Sequence, residues 1–236
     1  MRNHTPMRSR GFTLIELLVA ISLMALMAVL SWRGLDGISR AQTSLQQRAD
    51  DVLALQATLA QWGVDLDAMR SQPDLLGLDW DGRALRILRS APGGKQDGLQ
   101  VVAWARHSDG AQGTAQGHWF RWQSPPLTNR LEVDLAWQKA AVWAQNPGTE
   151  ERAREVRTVA LDQWQIFYYR NNAWTNPLSS ADQAPAPFDP ADPQGVGVPQ
   201  AVVPDGVRVV LTLSGGQAIS GLLTRDWVRA SLGGRP

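Results

Sequence analysis

The feature that most constrains this chain is an apolar run near its amino terminus. Residues 12–32 contain no proline or glycine. As an α-helix, a run of this length spans roughly 30 Å, which is the hydrocarbon thickness of a bilayer. We therefore predict a transmembrane helix over residues 12–33. Four polar residues interrupt the run, and they are Thr13, Glu16, Ser22 and Ser31.

A secretory signal peptide and a plain signal anchor are the simplest alternatives to a specialised membrane helix. A signal peptide has a shorter apolar core, and a small-x-small cleavage site follows that core. Here Ala25, Ala28 and Ser31 supply only a loose version of such a site. The residues before the apolar run are more informative.

Residues 10–20, which read RGFTLIELLVA, form a distinctive junction between a basic leader and the apolar run. This string resembles the type IV prepilin cleavage site that pilins share with the pseudopilins of type II secretion. In that family a membrane-bound prepilin peptidase cuts after the glycine and methylates the new amino terminus. The resemblance implies a leader peptide over residues 1–11, cleavage between Gly11 and Phe12, and N-methylation of Phe12.

Glu16 requires a physical explanation, because an ionised carboxylate in hydrocarbon costs several kcal/mol unless it is paired or neutralised. The family resemblance implies a role in subunit assembly, with the amino group of Phe12 on a neighbouring subunit as the partner. A charge pair in a low dielectric is strong enough to set the register between subunits. Alternatively, Glu16 reaches the membrane interface from the first helical turn, where it complements the helix dipole.

The distribution of charge indicates topology and argues against one class of partner. Three arginines precede the apolar run, which favours a cytoplasmic leader and an exported, periplasmic body, although three more follow it. The formal charge of +1 becomes −2 once the leader is removed, so we expect no nucleic-acid binding. The arginines are Arg2, Arg8 and Arg10 before the run and Arg33, Arg40 and Arg48 after it.

The helix is predicted to continue beyond the membrane, over residues 34–72. Apolar side chains recur every seven residues there, as expected of a helix that packs on a globular head. Gly34 and Gly37 are weak points, and Pro73 lies beyond the helix end. One helix over residues 12–69 is the simplest interpretation. The repeating residues are Ile38, Leu45, Val52 and Leu59, with Ala41, Leu55 and Trp62 beside them.

A β-rich head over residues 73–236 is predicted from the change to period-two alternation. Residues 76–80 and 85–87 predict a hairpin on an Asp81-Gly82 turn, and strands over 99–106 and 118–123 complete a four-stranded antiparallel meander. Further strands are predicted over 164–170, 173–175, 207–213 and 218–224. Residues 176–199 form a long loop rich in proline. The predicted fold is α+β and pilin-like: a long amino-terminal helix packed on two antiparallel sheet units.

Residues 130–145 fit two interpretations. Thr128 or Asn129 could cap a helix whose packed face contains Leu131, Leu135, Gln138 and Val142. Alternation of apolar residues from 131 to 137 also fits a strand. We favour the helix.

The carboxyl-terminal half suggests a narrower family. The strand 164–169, which reads WQIFYY, is followed by Trp174, a proline-bearing loop and the apolar strand 207–213. This order resembles the J-type minor pseudopilin of type II secretion. The resemblance implies binding to I-type and K-type minor pseudopilins in a tip complex that initiates the pseudopilus, with the protein held in the bacterial inner membrane. The alternatives are a minor pilin of a type IV pilus and a membrane-anchored periplasmic enzyme or binding domain.

The sequence offers little catalytic chemistry, so we expect no enzyme activity, no cofactor and no metal. There are no cysteines. The histidines suggest no catalytic dyad or metal triad, since His4 lies in the leader, His107 in a predicted turn and His118 at a strand start. Residues 79–82 resemble a calcium loop but are explained by the hairpin turn. Asp189 and Asp192 in the long loop could bind calcium, although Asp-Pro pairs are ordinary turn formers.

Overall fold

A long helix and an antiparallel sheet dominate the computed structural model, which describes residues 12–72, 75–91, 98–108, 117–179 and 203–230. The predicted α+β class is confirmed. The chain divides into two units, Met1–Ala49 and Asp50–Pro236. The elements are α1 (Leu14–Asp67), β1 (Leu78–Trp80), β2 (Ala84–Ser90), β3 (Leu99–Ser108), β4 (Gly117–Gln123), α2 (Arg130–Gln145), α3 (Thr149–Arg152), β5 (Glu155–Arg170), β6 (Ala173–Thr175), β7 (Gly206–Leu213) and β8 (Gly221–Val228).

Helix α1 has the extent that the sequence predicts, and its helical assignment continues through both glycines. The predicted packing stripe is confirmed for the part of α1 that belongs to the second unit. Leu55, Trp62 and Leu66 are buried against the head, whereas Ile38 and Leu45 are exposed.

The strands form one eight-stranded antiparallel sheet, not the two units predicted. Its order is β1-β2-β3-β4-β5-β7-β8, and β6 also pairs with β5. The reason is the length of β5, whose first part pairs with β4 and whose second part pairs with β7. The predicted strand over residues 164–170 covers only the second part, because residues 155–163 carry many polar side chains that face solvent.

The two faces of the sheet pack against different helices. On one face, a cluster that includes Trp104 and Leu161 surrounds Trp62 of α1. On the other face, Phe120 and Trp122 pack with residues of α2 that include Trp143. Strand β3 is buried on both faces along most of its length, as is typical of a strand between two layers.

Helix α2 confirms the helical interpretation of residues 130–145. Asn129 is its N-cap, and the Asn129 side chain accepts a hydrogen bond from the Glu132 N–H at 3.0 Å. The Glu132 carboxylate accepts one from the N–H of Thr128, the residue before the N-cap, at 2.8 Å; this arrangement is similar to a capping box and lowers the pKa of Glu132.

The packed face of α2 differs from the prediction. Leu131, Leu135 and Val142 are exposed. The side that meets the sheet is built largely from alanines and one large aromatic residue, so the helix backbone can approach the strands closely. The buried residues are Val133, Ala136, Ala140, Trp143 and Ala144.

Two tight turns form where the sequence predicts them, whereas the loop before β8 is longer than predicted. Gly82 has φ +90°, and Asn171 and Asn172 have φ of 48° and 65°, as two-residue hairpin turns require. Strand β8 begins at Gly221, three residues later than predicted. The Ala218 N–H donates instead to Asp51 Oδ2 of α1 at 3.1 Å, so this part of the loop is held away from the sheet ladder.

Candidate processing and assembly site

The predicted cleavage site lies at the start of α1. Phe12 and Thr13 directly precede the first helical residue, and Phe12 is highly exposed. Gly11 and the rest of the leader lie outside the described residues. Phe12, on the carboxyl-terminal side of the predicted scissile bond, is thus accessible.

Glu16 closes the first turn of α1 through a capping interaction with Thr13. The Glu16 carboxylate accepts hydrogen bonds from the Thr13 N–H at 3.0 Å and from the Thr13 hydroxyl at 2.9 Å. In return, the Glu16 N–H donates to Thr13 Oγ1 at 3.4 Å. This arrangement satisfies amide groups that the first turn would otherwise leave unpaired. Glu16 therefore has a partner within its own chain, and its pairing with a neighbouring subunit stays a prediction.

The helix that follows presents an apolar surface. Its large apolar side chains between residues 12 and 35 are exposed in the isolated chain. The hydroxyl of Ser22 donates to the Leu18 carbonyl at 2.8 Å, so this polar group is satisfied inside the helix. Within the described residues, α1 is the one helix that is long and apolar enough to cross a membrane. These properties fit a segment that anchors the chain in a membrane.

At its other end, α1 is joined to the sheet by a buried ionic cluster that the sequence analysis missed. Asp65 is fully buried, and its carboxylate accepts hydrogen bonds from side chains of three strands. Arg121 of β4 donates twice, from Nε at 2.7 Å and from Nη2 at 2.8 Å. Trp104 Nε1 donates at 2.9 Å, and Arg89 Nη1 forms a close ion pair.

The cluster fixes the register of α1 on the head. A carboxylate that is fully removed from water is tolerated only when its charge and lone pairs are satisfied, as they are here. A sequence signal did exist: Asp65 lies three residues after Trp62, on the face of α1 that Leu55 and Leu66 mark as buried. A second link nearby is the hydrogen bond from Trp227 Nε1 to Asp67 Oδ1 at 2.7 Å.

The two histidines among the described residues both lie in strands, whereas His107 was predicted in a turn. His107 belongs to β3, directly opposite His118 of β4, because β3 extends beyond the predicted end. The His107 ring stacks on Phe120 and lies 3.4 Å from Glu155 Oε2. Burial raises the pKa of Glu155, and the hydrogen bond from Trp143 offsets this only in part.

The possible calcium loop at residues 79–82 acts as a turn. Asp81 Oδ1 accepts hydrogen bonds from the N–H groups of Arg83 and Ala84. The carboxylates of Asp79 and Asp81 both pair with Arg86. Among the described residues, no group of three or more potential ligand side chains could hold a metal ion. Asp189 and Asp192 lie outside the described residues.

Comparisons with known proteins agree with the amino-terminal features. Residues 6–32 match the prokaryotic N-terminal methylation motif. A 78-residue stretch is 33% identical to the type II secretion system protein J of Klebsiella pneumoniae. The chain is thus similar to prepilins at its amino terminus and, over this stretch, to a type II secretion system protein J. The matched stretch is 32% of this chain and 39% of that protein, so the similarity spans well under half of either.

A solved structure is also similar to this chain. It is the GspK-GspI-GspJ complex of the enterotoxigenic Escherichia coli type 2 secretion system, with a TM-score of 0.42 and 13% identity. The alignment covers 76% of this chain and 98% of that chain.

Proposed function

We propose that this chain is a minor pseudopilin of the type II secretion system, processed by prepilin peptidase and assembled through its amino-terminal helix. One observation carries the proposal: the methylation motif at residues 6–32 includes the apolar first part of α1, the helix whose last residues pack on an α+β head. The local similarity to protein J favours the secretion system over a type IV pilus.

Processing prepares the chain for assembly in this proposal. Cleavage after Gly11 makes Phe12 the mature amino terminus, where methylation occurs. The new amino group lies one residue before Thr13, whose own N–H donates to the carboxylate of Glu16. In the fibre, Glu16 pairs with the amino group of a neighbouring subunit, so a carboxylate that is costly in lipid becomes favourable only on assembly. This requirement selects the axial register of each added subunit.

The head has a structural role in this proposal. Leader and head lie on opposite sides of the bacterial inner membrane, with the leader in the cytoplasm and the head in the periplasm. The head binds the I-type and K-type minor pseudopilins, and the resulting tip complex initiates the pseudopilus. The buried Asp65 cluster supports such a role, because it fixes the carboxyl-terminal part of α1 to the sheet and lets force on the helix reach the head.

Deletion of the gene tests this proposal against the type IV pilus alternative. We expect secreted substrates to accumulate in the periplasm, and the full-length gene to restore their export. As a matched control, twitching and surface adhesion are measured in the same strain. Normal secretion together with lost twitching or adhesion would assign the protein to a type IV pilus.

A further inference from the structure

Helix α2 has a second apolar side that none of the described residues covers. Its inner side packs on the sheet, while Leu131, Leu135 and Val142 are 69%, 50% and 61% exposed. Gln138, which is also exposed, lies between them on the same side. We call these four residues the outer stripe of α2. Leu131 and Leu135 are one turn apart, and Val142 lies beyond Gln138 on the same face. Exposed apolar patches rimmed by polar residues mark interaction surfaces.

The spacing within the outer stripe indicates the shape of its partner. Successive members are four, three and four residues apart. This is the alternation of the d and a positions of a coiled-coil heptad, which brings a seam of side chains against a second helix. A helix is therefore a better occupant than a strand or a flat surface.

The charges beside the outer stripe are self-complementary. With Leu135 at an a position, Asp134 occupies the preceding g position and Lys139 the following e position. In a parallel, in-register pair, a g residue faces the e residue five positions later on the other helix. Asp134 of each copy thus faces Lys139 of the other, and two-fold symmetry makes this contact twice.

Both charged residues are available for such a contact. Asp134 lies 3.9 Å from Arg130, and Lys139 lies 3.7 Å from Glu150. All four side chains are more than half exposed, so these ion pairs contribute little and exchange readily.

Gln138 decides the direction of pairing. In a parallel, in-register pair it meets Gln138 of the other copy, and the two amides can donate to and accept from each other. An antiparallel pair would place its amide against Leu135, where it would lose water without gaining a partner. We propose that the outer stripe of α2 pairs, parallel and in register, with α2 of a second copy of this chain.

The outer stripe is small, so we expect pairing only between copies that are held in one membrane. Three apolar side chains expose on the order of a few hundred Å², well below the roughly 800 Å² per partner of a stable interface. The contact is therefore weak between free heads. Confinement of several copies to one membrane by α1 raises their effective concentration and makes the contact productive. The inference rests on the membrane anchorage in the proposed function, but not on a role in secretion.

The absence of cysteine from the chain gives a direct test. The full chain carrying Gln138→Cys is reconstituted in vesicles of phosphatidylethanolamine and phosphatidylglycerol and is then oxidised. Thr224→Cys, at an exposed site on β8, is the matched control. We expect at least about tenfold more disulfide-linked dimer for Gln138→Cys than for the control, because in-register pairing brings position 138 of both copies together. Equal cross-linking of the two variants would overturn the proposal.

A second pair of variants tests the stripe itself. Leu135→Glu, added to Gln138→Cys, should lower dimer formation about tenfold because it places two carboxylates in the seam. Leu222→Glu changes a more exposed leucine on β8 and should leave dimer formation unchanged. Thermal unfolding checks that both variants are folded.

The direction of pairing has its own control. A mixture of Leu131→Cys and Val142→Cys chains that cross-links when Gln138→Cys does not would establish antiparallel pairing and refute the proposed register. In cells, cross-linking of Gln138→Cys to a different protein and not to itself would refute self-pairing. Either result is independent of whether the chain supports secretion.

Discussion

Replacement of Asp65 by alanine should severely destabilise the head. The substitution leaves the guanidinium groups of Arg89 and Arg121 almost fully buried without their shared counter-charge, and leaves the Trp104 N–H without its acceptor. Breaking a buried ion pair from one side costs about 3–5 kcal/mol, and an orphaned buried donor adds about 1–3 kcal/mol. Bonds that Arg121 keeps, such as that to Gln123 Oε1, offset part of this loss. We expect a net loss of about 4 kcal/mol.

Urea unfolding of a soluble fragment that begins at Ser31 measures this loss. For a domain of this size, about 4 kcal/mol corresponds to a fall of roughly 10 °C in Tm. Asp226→Ala is the matched control, because Asp226 makes a bidentate pair with Arg208 at 2.7 Å on the partly exposed surface of the sheet. Such pairs contribute at most about 1 kcal/mol.

The reasoning also predicts a non-additive result. Simultaneous replacement of Asp65, Arg89 and Arg121 by apolar residues of similar volume should cost less than Asp65→Ala alone, because no unpaired charge is left in the core. A loss below about 1 kcal/mol for Asp65→Ala, or a triple variant less stable than the single one, would refute the view that the cluster's charges are mutually dependent.

Three further predictions concern the amino terminus and the head. Mass spectrometry of membrane-extracted protein should find a methylated Phe12 at the amino terminus. Gly11→Leu should leave the leader attached, because the bulky side chain does not fit the peptidase. An unaltered protein that keeps its leader in the membrane would contradict this prediction. Glu16→Val should keep insertion and cleavage but impair fibre assembly, since lipid burial becomes easier while the pairing partner is lost; normal assembly would favour the interfacial role. Burial raises the folded-state pKa of Glu155, so the contribution of this group to stability is present below the ordinary value of 4.5 and is lost as pH rises through the raised value. Glu155→Gln should therefore flatten the decline in unfolding free energy above pH 4.5. Identical pH profiles for the two proteins would contradict this prediction.

Local sequence determined the features that depend on neighbouring residues. The apolar run and the residues around Gly11 predicted the membrane helix and the methylation motif, because bilayer thickness and peptidase recognition both act on short segments. The capping residue Asn129 fixed the start of α2, and the pair Asn171-Asn172 fixed the turn between β5 and β6, since both act through their own backbone.

Tertiary structure decided the features that depend on which surfaces meet. Helix α2 has two apolar sides, and periodicity alone favoured the side with Leu131 and Val142, whereas close packing on the sheet selects the side with the alanines and Trp143. The single sheet arises because β5 pairs with β4 and β7 in succession, and its polar first part is not recognisable as a strand without those neighbours. The partners of Asp65 are 24 to 56 residues away in the sequence, so only the packing of α1 across β2, β3 and β4 brings their charges together.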